Sequence, residues 1–98
     1  MLRIEKSHLA EQDLLNIWLY SFERWSLEHA DRYLDEIELG LITLSSNAEI
    51  GIASDDIKHG YRRFHVNHHF IWYKIVSDEV VYIVRVLGED MDYRTHIE

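Results

Sequence analysis

Cysteine is absent from these 98 residues. That excludes disulfide scaffolds, thiolate zinc sites and cysteine nucleophiles. Proline is absent as well, and no Ser/Gly-rich tract, repeat or low-complexity stretch interrupts the chain. No linker is therefore marked, and a single domain over residues 1–98 is expected. The four glycines, Gly40, Gly51, Gly60 and Gly88, stand apart from one another. None lies in a GxGxxG or P-loop pattern, so nucleotide-phosphate binding of those kinds has no support. The longest unbroken apolar run, Val80 to Val84, falls far short of the ~20 residues of a membrane span. Met1 to Glu11 carries charges throughout, unlike the apolar stretch of a signal peptide. A soluble cytoplasmic protein without membrane contact is the expectation.

What is present is acid, and it is unevenly placed. Through Ile57 there are four Lys/Arg against twelve Asp/Glu, and from Lys58 onward six of each. The whole formal charge of −8 thus sits in the first half. Phosphate contacts need excess Lys/Arg, so this balance disfavours direct nucleic-acid binding. It suits a protein that keeps itself soluble by its charge, or one that meets a basic partner. With 47% apolar and 29% charged residues the chain is of globular composition.

The periodicities outline the fold. Leu2 to Glu5 alternates apolar and charged residues, as a short strand does. Ser7 has the character of a helix N-cap, and Glu11 and Asp13 favour the positive end that follows. Leu14, Ile17, Trp18, Ser21, Phe22 and Trp25 recur at helical spacing, which predicts an amphipathic helix over 7–25. Ser26 can cap a second helix, whose buried stripe is Ala30, Tyr33, Leu34, Ile37, Leu41 and Leu44. Two such helices with almost no loop form a hairpin. Asn47 to Gly51 reads as a turn, with Gly51 supplying an awkward backbone angle. Tyr61–Val66, Phe70–Val76 and Val80–Leu87 are rich in aromatic and β-branched residues and separated by short turns, so they form an antiparallel meander. The helical hairpin and the meander each have an apolar face to bury. Packed together they make a two-layer α+β domain of order βααβββ.

Chemistry is harder to find. His59, His65, His68 and His69 crowd into one stretch, but their spacing is not a zinc motif, and surface imidazoles near a hairpin turn are the simpler reading. Glu89-Asp90-Met91-Asp92 lacks the ligand spacing of a calcium loop. No serine sits in a nucleophile elbow. No metal, cofactor or catalytic residue is expected. Arg62, Arg63, Lys74 and Arg85 lie on the sheet, where arginines either pair with the chain's own carboxylates or engage an acidic partner. Trp18, Trp25, Trp72, Tyr73 and Tyr82 fit a core by spacing, and an exposed subset would anchor an interface.

Particular strings add a resemblance. Gly60-Tyr61-Arg62-Arg63-Phe64, Phe70-Ile71-Trp72-Tyr73 and Val84-Arg85-Val86-Leu87 resemble the strand motifs of the ParE/RelE toxin superfamily. Asn47-Ala48-Glu49-Ile50-Gly51 resembles its turn after the second helix, with Ala48 in place of proline. Met91-Asp92 resembles the close of the ParE branch, with Gly88 where that branch has a histidine. The resemblance runs from Leu2 to about Asp92. It implies the toxin of a type II toxin–antitoxin pair, a non-enzymatic, ParE-like inhibitor of DNA gyrase that blocks replication. The alternatives are a RelE-like ribosome-dependent mRNA endoribonuclease and a degenerate module that only binds an antitoxin. RNA-cutting members surround the sheet face and C-terminal segment with Lys/Arg, because cleavage needs cations and proton-moving groups. Here that segment, Gly88 to Asp92, is acidic.

The resemblance also implies partners. A ParD-like antitoxin of ribbon-helix-helix type would form a hetero-oligomer with the chain through a disordered arm that folds on binding. The candidate antitoxin contacts are Trp18, Phe22, Trp25 and Trp72. The candidate gyrase contacts are Arg62, Arg63, Arg85, Met91 and Asp92.

Overall fold

A computed structural model describes residues 1–97. Strand β1 (Arg3–Lys6) leads into helices α1 (His8–Arg24) and α2 (Leu27–Ser46). Strands β2 (Ile52–Ala53), β3 (Tyr61–Val66), β4 (His69–Ile75) and β5 (Val80–Gly88) follow, and a 3-10 turn, η1 (Tyr93–Thr95), closes the chain. The two caps are those expected. Ser7 Oγ accepts from Ala10 N–H at 2.9 Å and Ser26 Oγ accepts from His29 N–H at 3.1 Å. Each satisfies a donor that a helix start leaves open. Ser7 does more, since its hydroxyl also donates to Val84 O at 2.7 Å and ties the helix start to β5.

The sheet has the order β1-β5-β4-β3-β2. Strands β3, β4 and β5 form the expected antiparallel meander. The sheet as a whole is mixed, because β1 joins β5 in parallel, with Ile4 opposite Val81. The intervening helices make that possible, since a parallel neighbour requires a long crossover. The short β2 pairs with β3 through Ile52–Arg63 and Ala53–Arg62. It was not expected, and its two exposed residues carry no pattern to announce it.

A bulge in β5 decides which side chains face the helices. Trp72 lies opposite Arg85 while the next residue, Tyr73, lies opposite Ile83, which leaves Val84 over. Ile83 and Val86, three residues apart, therefore both enter the core beneath the helices. Val84 and Leu87 both join a smaller cluster on the outer face. The main core unites Leu14, Ile37, Leu41 and Leu44 with Ile71, Tyr73 and Val81. The outer cluster packs Tyr61, Trp72 and Leu87 beneath Ile97 and Tyr93.

Two expectations are corrected. The stripe of α1 is narrower than its spacing suggests. Leu14 and Ser21 are buried and Ile17 and Trp18 half-buried, but Phe22 and Trp25 are exposed, because the sheet does not extend beneath the far end of the hairpin. Gly51 is required for space and not for a special angle, since the positive-φ glycine is Gly60, at 83°. A Cβ on Gly51 would stand 2.8 Å from Tyr73 Cε1 and 2.9 Å from the Arg63 carbonyl oxygen. Gly51→Ala is expected to cost about 1–3 kcal/mol, as overpacking does. A urea midpoint unchanged from that of the parent chain would refute the close approach.

Candidate functional site

Two surfaces carry the residues singled out by sequence. The first is the outer face of the sheet with the C-terminal segment lying on it. Trp72 is only 1% exposed there. Its ring meets Tyr93 at 5.3 Å, and the Arg63 guanidinium stands over it at 5.5 Å and over Phe70 at 5.8 Å. Asp92 caps η1, accepting from Arg94 N–H at 3.0 Å, and so helps hold Tyr93 in place. Met91 is exposed, and its sulfur accepts from Gly88 N–H at 3.3 Å. Glu89 is gripped by two histidines, His65 Nε2 at 2.7 Å and His68 Nδ1 at 3.0 Å. Those hydrogen bonds, from His68 first and His65 second, draw its carboxyl below the usual range. Trp72 thus offers a partner no surface in this structure, which corrects the expectation of an exposed anchor.

The arginines are largely occupied within the chain. Arg62 Nη1 donates to the carbonyls of Gly51 at 2.8 Å and Glu49 at 3.1 Å, closing the turn after α2. Arg63 Nη1 donates to Ser54 Oγ at 3.2 Å. Arg85 is bidentate to Asp13, Nε to Oδ2 at 2.8 Å and Nη2 to Oδ1 at 2.9 Å. The side chains of that pair are 15% and 13% exposed. Its hydrogen bonds to Asp13 raise the guanidinium pKa further. Asp13 Oδ2 also accepts from Val86 N–H at 3.0 Å, capping the edge of β5 beyond the end of β1. Arg62 and Arg85 therefore build the fold, and Arg63 shields Trp72.

The second surface is a groove of about 800 Å³ between the hairpin and the ends of β4 and β5. Tyr20 and Arg24 from α1, Trp25 from the joint, His29 and Tyr33 from α2 and His69 from β4 line it. Trp25 precedes the cap of α2, His29 and Tyr33 lie on its first two turns, and the rings follow one another. Trp25 to His29 is 5.2 Å, His29 to Tyr33 6.5 Å and Tyr33 to His69 5.5 Å between centroids. Trp25 is 65% exposed. Trp18 and Phe22 lie on the hairpin outside the groove, stacked at 5.3 Å, with Trp18 Nε1 donating to Asp31 Oδ1 at 2.9 Å. Sequence reading missed Tyr20, Arg24, His29 and His69. The 25/29/33 spacing was the signal for part of this set, while His69 arrives from 36 residues past Tyr33.

The floor of the groove is fixed by a hydrogen-bond relay. His68 N–H donates to Tyr33 Oη at 3.2 Å, and Tyr33 Oη stands 2.6 Å from His69 Nδ1. Burial raises the Tyr33 phenol, keeping its proton, and burial lowers His69, keeping it neutral. Two neutral groups thus share one hydrogen bond between Tyr33 Oη and His69 Nδ1. A histidine neutral in the fold and protonated more readily when unfolded stabilises the fold above the unfolded pKa, ~6.5. That contribution is lost as pH falls below it, through the lower folded value. The urea midpoint is expected to drop between pH 7.5 and 5.5 in the parent chain, and His69→Gln is expected to flatten that slope. An equal slope in both would contradict the assignment.

Among the described residues no helix is long and apolar enough to cross a membrane, and no group of three His, Asp or Glu stands close enough to hold a metal ion.

Comparison with known proteins agrees with this architecture. Residues 4–93 match the family model for the ParE toxin of the parDE type II toxin–antitoxin system. The chain is 33% identical over 86 residues to Toxin ParE1 of Mycobacterium tuberculosis, a match covering 88% of each. It is 32% identical over 91 residues to Toxin ParE1 of Caulobacter vibrioides, covering 93% of each. Among solved structures, the chromosomal ParDE system of P. aeruginosa contains a similar fold, with a TM-score of 0.77 at 17% identity over 90% of this chain and 96% of that one.

Proposed function

The chain belongs to the ParE toxins of type II toxin–antitoxin systems, and from that premise we propose that it arrests growth by inhibiting DNA gyrase without chemistry of its own. In the same proposal a ParD-like antitoxin of ribbon-helix-helix type keeps it silent.

The filled outer face is the observation that supports the non-enzymatic reading. A ribonuclease of this superfamily would need cations and proton-moving groups presented to RNA on that face. Here Tyr93 and Ile97 cover it, packed on Trp72 and Leu87. Arg63 is spent over Trp72 and Phe70. At the Phe70 end of this face stands the Glu89 carboxylate, held ionised by His65 and His68, which repels phosphate there, while Lys58 and Lys74 lie over the Tyr61 ring and Arg94 over the Tyr93 ring. Of the candidate gyrase contacts, Met91 and Asp92 are exposed beside this face and Arg63 is half-buried on it.

The antitoxin reading rests on the hairpin. Trp18 and Phe22 stack on one another on α1 and the exposed Trp25 lines the groove, and aromatic anchors of this kind dominate protein interfaces. Asp31, Asp35, Glu36 and Glu38 make the surrounding surface acidic, which steers a Lys/Arg-bearing arm toward it.

Induced expression in a gyrase-dependent bacterium tests the proposal, with and without the neighbouring reading frame. Growth arrest with filaments and DNA-damage induction, relieved by the neighbour, is expected. Arrest with rapid mRNA loss and no filaments would overturn the gyrase reading in favour of mRNA cleavage. A folded protein that arrests nothing would reduce the chain to antitoxin binding.

A further inference from the structure

The groove differs in charge from the hairpin that forms one of its walls. The first 57 residues carry all the net acidity, yet the groove lining contains one carboxylate, Asp13. That carboxylate is already neutralised by the bidentate Arg85. Two more carboxylates approach the rim, and both are taken. Glu36 Oε2 accepts from Asn67 Nδ2 at 2.6 Å, and Glu89 is held by His65 and His68. Arg24 remains. Its guanidinium lies over the Tyr20 ring at 5.3 Å and forms no ion pair among the described residues. The groove is thus a neutral-to-positive enclave in an acidic surface, walled by the rings of Tyr20, Trp25, His29 and Tyr33.

We infer that this groove binds an aromatic side chain that lies beside a carboxylate on the chain's protein partner. The ring packs against Trp25 and His29, and the carboxylate meets Arg24. Charge complementarity selects this occupant. A basic segment would face an unpaired arginine, while a purely apolar one would leave that cation desolvated without a partner. The volume, about 800 Å³, lies in the range of ligand clefts and exceeds a single ring, so it accommodates the anchor with its neighbours. Rings already ordered by contact with one another lose little freedom on binding, which is the character of an interface anchor site. The inference rests on the reading of the chain as a toxin held by a protein partner, and it adds a second chemistry to that partner. Its basic residues fall on the acidic back of the hairpin, and its acid-flanked aromatic residue falls in the groove.

Two small probes of opposite charge on the same ring test this with the full-length chain. Indole-3-acetate and tryptamine are titrated separately at millimolar concentration, and amide, Trp25 indole and histidine ring signals are followed by NMR. Indole-3-acetate is expected to shift Trp25, His29 and His69, with an affinity about three- to tenfold above that of tryptamine, as one charge-assisted contact provides. Arg24→Gln is expected to remove that preference while leaving the rest of the spectrum in place. Tryptamine binding as tightly as indole-3-acetate would overturn the inference. So would shifts that map away from the groove, no shift with either probe, or a preference that survives Arg24→Gln. The experiment reads no toxicity, so its failure leaves the gyrase proposal standing, and failure of the growth assay leaves the groove assignment standing.

Discussion

Trp72→Ala is expected to lower stability by about 3–5 kcal/mol, the range for removing a fully buried large aromatic. The loss has several sources. Trp72 is the largest side chain of the outer cluster, and Tyr61, Leu87 and Ile97 close around it. Tyr93 loses its ring partner, and Arg63 loses the face on which its guanidinium rests. Because Tyr93 and Ile97 pack on Trp72's cluster, the substitution should also loosen residues 91–97. Urea unfolding followed by circular dichroism measures the first effect, and amide exchange across 91–97 measures the second. Trp25→Ala is the control. Trp25 is 65% exposed, and its loss should change stability by no more than about 0.5 kcal/mol. Equal midpoints for the two variants would contradict the described burial.

The second large effect concerns Asp13 and Arg85. Arg85→Met strands a mostly buried carboxylate, and Asp13→Leu strands both a guanidinium and the Val86 N–H. Each change is expected to cost about 2–4 kcal/mol, since an orphaned charge is worse than no charge. The double variant should cost less than the sum of the two, with a coupling of about 1–3 kcal/mol. Strict additivity would show that the two side chains act independently. The result bears on function. A loss of toxicity in Arg85→Ala reports damage to the join between α1 and β5 before it reports a lost target contact. Arg62 carries the same ambiguity, because its guanidinium closes the turn from Glu49 to Gly51. Arg63→Gln, Met91→Ala and Asp92→Ala alter the surface with less expected damage to the core, so they are the cleaner probes of gyrase contact.

The elements legible in the sequence were those with a strong local period. Ser7 and Ser26 marked both helix starts because capping is decided within a few residues. The meander was legible because β3, β4 and β5 each read as an aromatic and β-branched run between short turns. The parallel pairing of β1 with β5 was not, since Ile4 and Val81 are 77 residues apart and nothing local specifies the partner. Burial along α1 was misjudged for a related reason. Phe22 and Trp25 continue the stripe of Leu14 and Ile17, but whether a helical stripe is covered depends on how far the sheet reaches beneath it. The arginines were placed on the correct element, yet their partners were invisible. Asp13 meets Arg85 across 72 positions, a pairing that only the packing of α1 on β5 creates. The groove was half legible. Trp25, His29 and Tyr33 show helical spacing, whereas His69 and the loss of free carboxylates emerge only from the packing.

The proposed action of this ParE-family chain on gyrase, as a protein ligand, is open to a test with purified components. The most direct measurement adds the purified chain to gyrase with relaxed plasmid and ATP and follows supercoiling. Dose-dependent loss of supercoiling with accumulation of gyrase-cleaved DNA, reversed by the product of the neighbouring frame, is expected. Undiminished supercoiling, from a folded preparation that still arrests growth on expression, would contradict it.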